Sequence, residues 1–555
     1  MICKIKPRKI LLLVAALGLL AVACNSCALF TDDEPPRNAT VIAVTANSSL
    51  APWLSTAVGN FNAERQETPD GNPIHVQLEL VEAGQAVVDI AAGNSAPGLW
   101  IPDDQVWVDL LADKGTASFQ GDCRSVAESP LVIALWRPIA ESLGWPGRSL
   151  GWLDVGSLAA DPSAWNYYSG GQFGETLQLG HTHPGLSGSG VGTLLALVQA
   201  AESETEAVEA NVVEKPVVQA SVSAFEAAVA WFSSSTNELG RTMSERGTDY
   251  LGAAVMYEST VVYYGAGNPN IVPIYPFEGT FVAQHPACIN NGATAAEQAA
   301  AQLFREYLLA EEAQQLALTN GLRPVNAAVP LGAPLDAEHG VDLEQPVVIF
   351  NSPRVETVYA VQDLWKAARK DVNLVMVLDV SGSMGGDKLR SAQTAAVQFV
   401  NQMGEDDYIS IVAFSTTSRI LVAHKKVGEE RQRVINVLQN LEADDYTAFY
   451  DALGDASSIL AKTNSSETSN AIVALTDGLD NSSVNYAFDQ TLIEVATAHN
   501  TTICTIAYGN DADEQILVEL ALQAHGNFYH GDEASIETIY QEMSAAFGGS
   551  VGVGR

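Results

Sequence analysis

The chain has 555 residues, of which 47% are hydrophobic and 17% are charged. It is therefore long enough for two or three domains with full-sized cores, and its composition is that of a globular protein. Its 28 Lys and Arg residues stand against 66 Asp and Glu residues, which gives a formal net charge of −38. Because this charge repels phosphate backbones, we expect no nucleic-acid partner.

The first 23 residues are typical of a signal peptide. Basic residues precede an apolar run, Ile10–Ala23, that is too short to span a bilayer comfortably. The run ends in the sequence AVAC at 21–24, which resembles the lipobox of bacterial lipoproteins, although Ala21 stands where Leu is usual. The resemblance implies lipidation of Cys24 and an extracytoplasmic, membrane-anchored protein, on the cell surface or in the periplasm. The alternative is an ordinary cleaved signal peptide with an incidental Cys24.

Composition and periodicity divide the remaining chain into four segments. Residues 24–40 include a polar, acidic stretch with a proline pair and are predicted to be a tether. Strand and helix patterns alternate through residues 41–350, which predicts a first α/β domain. Residues 351–370 carry the apolar stripe of a connecting helix. Residues 371–548 alternate buried strands with helices, which predicts a doubly wound, mostly parallel sheet.

Four cysteines besides Cys24 follow the signal peptide. No CxxC pair follows Cys27, so zinc is not indicated. Cys504 lies in an apolar run and is expected to be a buried thiol. Cys123 and Cys288 are candidates for a disulfide in an oxidising compartment.

Polar side chains follow the predicted strand that ends at Asp379. Ser381 and Ser383 lie in the turn after it, and Thr447 and Asp477 belong to two further strand-end elements. Because ligands in a doubly wound sheet collect at the carboxyl ends of the strands, we expect these five side chains to share one crevice. Two carboxylates and three hydroxyls suit Mg²⁺, Mn²⁺ or Ca²⁺, and not zinc or copper. Six-fold coordination then leaves a position for water, which the carboxylate of a partner can displace.

These motifs carry a family resemblance. The sequence DVSGSM at 379–384, the Thr447 element and TDG at 476–478 resemble the metal-ion-dependent adhesion site of von Willebrand factor A domains, over about residues 371–548. The resemblance implies that a divalent cation, Mg²⁺ first, mediates binding of a protein ligand that has an acidic residue. An empty relic of such a site is the alternative, but no position is substituted. The implied metal ligands are Asp379, Ser381, Ser383, Thr447 and Asp477.

Two turns that open helices in the first domain are candidates for solute contact. In the first turn Ser48 or Ser49 is a candidate helix cap, and the second contains Ser187 and Ser189. Each turn alone is equally explained as a turn and a cap. Together with AGQ at 83–85 and YES at 257–259, they resemble the bilobal solute-binding proteins of ABC importers, of the molybdate- and sulfate-binding kind, over about residues 41–350. The resemblance implies a periplasmic-binding-protein-like fold, with a pocket at these serines and Tyr257.

Three further residues bear on whether this pocket binds an oxyanion. Glu258 is expected to repel an anion, while His181 and His183, which flank the pocket, are expected to be surface residues. The leading interpretation is therefore a non-enzymatic binding lipoprotein that docks a protein partner through its metal site. The alternative is a component of an ABC-type transport system that captures a small solute or oxyanion. A metal-dependent extracellular hydrolase is a third possibility, but no histidine or nucleophile motif accompanies the acids, and no catalytic residue is assigned.

Overall fold

A computed structural model describes residues 35–267, 270–465 and 468–554. The predicted signal peptide and the predicted lipidation site Cys24 lie outside the described residues, as does most of the predicted tether. Within these ranges no helix is long and apolar enough to cross a bilayer.

The strands before residue 350 form two sheets. In the first, the order is β2-β1-β3-β11-β4, with β1 parallel to β2 and β3. In the second, the order is β10-β5-β8-β6-β7, with β9 beside β5. The chain passes from the first sheet to the second after β4 and returns at β11, so each sheet forms the centre of one lobe. The strands are β1 (Thr40–Ala46), β2 (Ile74–Leu80), β3 (Leu99–Ile101), β4 (Cys123–Ser125), β5 (Ser129–Trp136), β6 (Leu179–Thr182), β7 (Val229–Ser233), β8 (Ala253–Tyr257), β9 (Ile271–Ile274), β10 (Val282–Ala283) and β11 (Pro286–Ile289).

Helices cover both lobes, and the predicted bilobal α/β architecture is confirmed. Residues 295–319 form two helices rather than one, because Ala310 between them is extended and the Gln314 side chain donates to the Leu308 carbonyl. The helices are α1 (Ala51–Glu64), α2 (Ala83–Ala92), α3 (Gln105–Asp113), α4 (Arg137–Ser142), α5 (Trp152–Ala160), α6 (Pro162–Ser169), α7 (Gly188–Glu202), α8 (Pro216–Ala227), α9 (Thr236–Arg246), α10 (Glu258–Tyr264), α11 (Ala295–Leu309) and α12 (Glu311–Thr319).

A disulfide joins two strands of the first sheet. Cys123 and Cys288 are register neighbours on β4 and β11, and their sulfur atoms are bonded. Cys504 is a buried free thiol, as its apolar surroundings in the sequence predict.

The chain after residue 370 forms a third, six-stranded sheet of order β14-β13-β12-β15-β16-β17, parallel except for β14. Apolar side chains face helices on both sides of it; Phe399, for example, packs edge-on against Tyr540. The predicted mostly parallel sheet is confirmed. Its strands are β12 (Asp371–Asp379), β13 (Tyr408–Phe414), β14 (Ser418–Lys426), β15 (Thr468–Thr476), β16 (Thr502–Tyr508) and β17 (Phe528–Gly531), and the helices are α13 (Val355–Ala368), α14 (Asp387–Gln402), α15 (Val427–Gln439), α16 (Phe449–Thr463), α17 (Gln490–Thr497), α18 (Glu514–Gln523) and α19 (Ile536–Ala546).

The chain segments before and after the third sheet both contact the second lobe. On entry, Trp365 of α13 donates through Nε1 to Glu226 Oε2 at 3.1 Å. After α19 the chain returns to the lobes, where the Val553 amide donates to the Gly185 carbonyl at 2.7 Å. His183 Nε2 donates to the carbonyl of Gly549 at 2.8 Å. Gly549 and Val553 therefore pack against the second lobe.

A buried ion pair fixes the end of α13 to the third sheet. Both guanidinium NH groups of Arg369 donate to Asp407, at 3.0 Å each, and the side chains are 6% and 2% exposed. Asp407 also accepts from the amide of Val372 at 2.9 Å, at the start of β12.

We expect Asp407→Ala to destabilise the protein by about 3–5 kcal/mol, because it leaves the buried Arg369 charge unpaired. Urea unfolding followed by intrinsic fluorescence measures the change. Asp406→Ala is the matched control, since its carboxylate is exposed and pairs with Lys426 at the surface. An equal loss of stability in both variants would contradict the stabilising role of the Arg369–Asp407 ion pair.

Candidate functional sites

Asp379 and Asp477 lie at the same edge of the third sheet. They terminate or directly follow β12 and β15, which pair in parallel with Leu378 opposite Leu475. The two oxygens of Asp379 are both held: Oδ1 accepts from the Ser381 amide at 2.7 Å, and Oδ2 accepts from the Thr476 hydroxyl at 2.6 Å. The carboxylate is thus fixed in orientation at the strand end.

The two serines of the turn connect these acids. Ser383 Oγ donates to Asp477 Oδ1 at 2.6 Å, and the hydroxyls of Ser381 and Ser383 are 3.1 Å apart. Gly382 donates its amide to the carbonyl of Asp445 at 3.1 Å, which holds the turn against the loop before Thr447. The structure therefore brings Asp379, Ser381, Ser383 and Asp477 into one hydrogen-bonded chain.

Thr447, the fifth predicted ligand, borders the same cluster. Asn481 fixes its backbone by accepting from its amide and donating to its carbonyl, each at 2.9 Å. A Cβ placed on Gly478 would lie 3.7 Å from Thr447 Oγ1, so the hydroxyl faces the turn that follows Asp477.

The donors of this cluster are all oxygens, which fits a hard divalent cation. Burial raises the pKa of Asp379, opposed by hydrogen bonds from Ser381 and Thr476. Among the described residues no three His, Cys, Asp or Glu side chains are arranged to hold a metal, so such an ion would depend on the hydroxyl ligands as well. Lys388, missed in the sequence, places its ammonium 2.8 Å from Asp477 Oδ2. A cationic side chain therefore forms an ion pair with one of the two acids.

Three of the five predicted solute contacts surround two buried acids that sequence reasoning missed. The Ser48 hydroxyl donates to Glu82, which also accepts from Ser187. The Tyr257 hydroxyl donates to Asp103 Oδ2 at 2.7 Å. Because Glu82 and Asp103 follow the strands β2 and β3, the strand-end rule that located Asp379 would also have found them.

The other two predicted contacts bind neighbouring side chains instead. Ser49 donates through Oγ to Asn47 Oδ1 at 2.6 Å, and its amide donates to the same oxygen. Asn47 is therefore the cap of this turn, and the prediction of Ser48 or Ser49 as the cap is wrong. Ser189 forms hydroxyl contacts with Thr182 at 2.7 Å and Thr236 at 2.8 Å.

The expectations for three flanking residues also need correction. Glu258 does not present a free charge, because Arg323 donates to both of its oxygens at 2.8 and 2.7 Å. His181 and His183 are buried rather than at the surface. His181 contacts Glu226 at 3.1 Å, and burial lowers the pKa of His183 to about 3, so its ring is neutral.

Glu82 and Asp103 lie next to each other, with Asn47 Nδ2 3.4 Å from an oxygen of each. Burial raises the pKa of both carboxyl groups, and burial together with the charge of Glu82 raises the pKa of Asp103 to about 7. Two adjacent acids in a buried site titrate as a pair, because the charge on one raises the pKa of the other.

Two family models match this chain. Residues 42–323, about half of the chain, match the model described as bacterial extracellular solute-binding protein. Residues 373–542 match the von Willebrand factor type A domain.

Individual relatives match one or the other part. Human inter-alpha-trypsin inhibitor heavy chain H6 is 29% identical over 188 residues, which are 31% of this chain and 14% of the relative. The uncharacterized protein sll0103 of Synechocystis is 28% identical over 183 residues, 32% of this chain and 42% of the relative. The chain thus spans less than half the length of either. Among solved structures, the sulfate-binding protein SubI of Mycobacterium tuberculosis covers 57% of this chain and 96% of its own, with 17% identity and a TM-score of 0.40.

We expect Asp103→Asn to stabilise the protein at pH 8 but not at pH 4. The pKa of Asp103 in the folded state, about 7, exceeds the ordinary value of 3.8. The unfolded chain therefore releases this proton at lower pH than the folded protein, and stability falls as the pH rises from about 4 to 7, by up to about 4 kcal/mol. Asparagine removes that loss.

Urea unfolding of both proteins at the two pH values measures the effect. Asp109→Asn, an exposed acid on α3, is the control and should leave the difference between the two pH values as in the wild type. A stabilisation by Asp103→Asn that is equal at both pH values would contradict the elevated pKa.

Proposed function

Since the chain belongs to the family of bacterial extracellular solute-binding proteins and also carries a von Willebrand factor type A domain, we propose that it is a non-enzymatic binding lipoprotein. Both matched families are of the binding type. The proposal assigns residues 41–350 to the solute-binding-like domain, 351–370 to a connecting helix and 371–548 to the type A domain. The type A domain docks a protein partner through a divalent metal.

The chain of hydrogen bonds from Asp379 through Ser381 and Ser383 to Asp477 carries this proposal. It gathers oxygen ligands of low total charge at one edge of the sheet, with Thr447 beside them. A divalent cation held there, Mg²⁺ first, supplies a coordination position for an acidic side chain of the partner. Because only two of the five ligands are charged, such an ion keeps its attraction for a further carboxylate.

The surroundings of the cluster also favour a protein partner. Asp379 and Asp477 are each only 1% exposed, whereas Ser383 is exposed and opens the cluster to solvent. Tyr446, next to Thr447, is 57% exposed, and Leu479, two residues after Asp477, is 56% exposed. Exposed aromatic and aliphatic side chains beside a polar centre are typical of protein-binding surfaces.

The location of the protein outside the cytoplasm is supported by its solute-binding family. We propose that Cys24 carries the lipid anchor, on the evidence of its lipobox-like sequence. Solute capture for an ABC-type transport system is the second candidate, favoured by the match over residues 42–323.

Isothermal calorimetry on the full chain tests the metal site. We expect Mg²⁺ or Mn²⁺ to bind the wild type, and Asp379→Ala to abolish binding, because it removes one of only two charged ligands. Asp387→Ala, which removes an exposed acid on the first turn of α14, is the matched control and should bind as the wild type does. Unchanged metal binding in Asp379→Ala would refute the assignment.

Lys388→Met should strengthen metal binding by about tenfold. The ammonium of Lys388 lies 2.8 Å from Asp477 Oδ2 and competes with a divalent cation for that carboxylate. The same calorimetric titration, repeated at low and high salt, measures the change, which salt should reduce. Weaker binding in the variant would mean that Lys388 supports the site rather than competing with the ion.

A further inference from the structure

The two lobes of the solute-binding-like domain are in direct contact across their cleft. The amide of Gly84, at the start of α2 in the first lobe, donates to the carbonyl of Leu186 in the second lobe at 2.7 Å. A Cβ on Gly84 would overlap the carbonyl oxygen of Gly185, and a Cβ on Gly188 would overlap the carboxylate of Asp103. The backbone of Gly84 therefore touches the backbone of the second lobe, and the backbone of Gly188 touches the side chain of Asp103. At these two contacts no space is left for a solute between the lobes.

The carboxylate of Glu82 receives hydrogen bonds from both lobes. From its own lobe it accepts from the Ser48 hydroxyl and from Asn47 Nδ2, the latter at 3.4 Å. From the second lobe it accepts from the amide of Thr236 at 3.4 Å and from the side chain of Ser187. Glu82 is buried, so these protein groups replace water as its partners.

These donors lie at the starts of helices. Ser187 precedes α7, Thr236 is the first residue of α9, and Glu82 itself precedes α2. Helix N-termini attract anions through their unsatisfied amides and the positive end of the helix dipole. Two hydroxyls, an amide NH₂ and a backbone NH around one point form a set that suits an oxyanion, and the oxygens of Glu82 occupy that point.

We propose that Glu82 is an internal substitute for an oxyanion solute, and that it holds the cleft closed so that the wild-type domain takes no free oxyanion. This role of Glu82 does not depend on the metal site of the type A domain. It is the opposite of solute capture by the first domain.

Two physical effects favour the Glu82 carboxylate over a free oxyanion in this position. Glu82 is part of the chain, so a free anion competes against a group that is always present at high local concentration. An anion that did enter the wild-type cleft would also lie beside the buried carboxylate of Glu82, the group that Glu82→Ala removes. Like charges at such short range in a buried site repel strongly.

Thermal unfolding of the full chain with sodium sulfate or sodium phosphate tests the proposal, with sodium chloride at equal ionic strength as reference. We expect no shift of the midpoint for the wild type. Glu82→Ala vacates the place of the carboxylate, and its midpoint should rise by about 5 °C at an anion concentration of about 100 times the dissociation constant. Glu82→Gln removes the charge but fills the same space, and it should not respond.

Matched and additional variants keep the test decisive. Glu79→Ala removes an exposed acid three residues earlier and should behave as the wild type does. If Glu82→Ala does not fold, Ser48→Ala tests the same contact. The unfolding midpoint of this variant should lie several degrees below that of the wild type, because the buried Glu82 carboxylate loses a hydrogen-bond donor.

An oxyanion-induced shift of the wild type would overturn the proposal, because the cleft would then be open to the solute. So would a folded Glu82→Ala that responds to neither anion, or a Ser48→Ala as stable as the wild type. Stabilisation of the wild type by a small amine, such as ethylammonium chloride, would also overturn it, because the two acids would then be a cation receptor.

Discussion

Both candidate sites depend on one constraint of parallel β–α units: strands end and helices begin at the same edge of the sheet. The positive ends of the helices and their unbonded amides collect there, and oxygen atoms must balance them. In the third sheet, Asp379 meets this need at the end of β12, where its oxygens bind the Ser381 amide and the Thr476 hydroxyl. In the cleft of the first domain, Glu82 meets it among groups from two lobes.

The same constraint leads to opposite results in the two places. The oxygen cluster of the type A domain is buried on its acid side but reaches solvent at Ser383, so further ligands can approach it. Glu82 and Asp103 are instead enclosed between lobes that touch at Gly84 and Leu186. Burial raises the pKa of the Glu82 and Asp103 carboxyl groups, whereas the hydroxyl of Ser383 connects the buried Asp477 to solvent.

The sequence predicted the contacts that follow from local spacing, and it missed several contacts between residues that are distant in the chain. The turn from Asp379 to Ser383 occupies five consecutive residues, so its geometry is implied by the strand before it. The surroundings of Glu82 combine Ser48 with Ser187 and Thr236, which both lie more than one hundred residues after Ser48. His183 is buried partly because the chain returns to it at Gly549, a contact across 366 positions.

The closed cleft and the double attachment of the type A domain have a common mechanical consequence. Solute-binding lobes that open and close would move any domain fixed to one of them. Here the type A domain contacts the second lobe through Trp365 on entry and Val553 on return, and the first lobe through Gln541, which donates to Gln85 Oε1 at 3.1 Å. With Glu82 in contact with both lobes, the oxygen cluster of the type A domain is attached to two lobes that are themselves joined at the cleft. A load on that cluster would then act on both lobes together rather than on one of them.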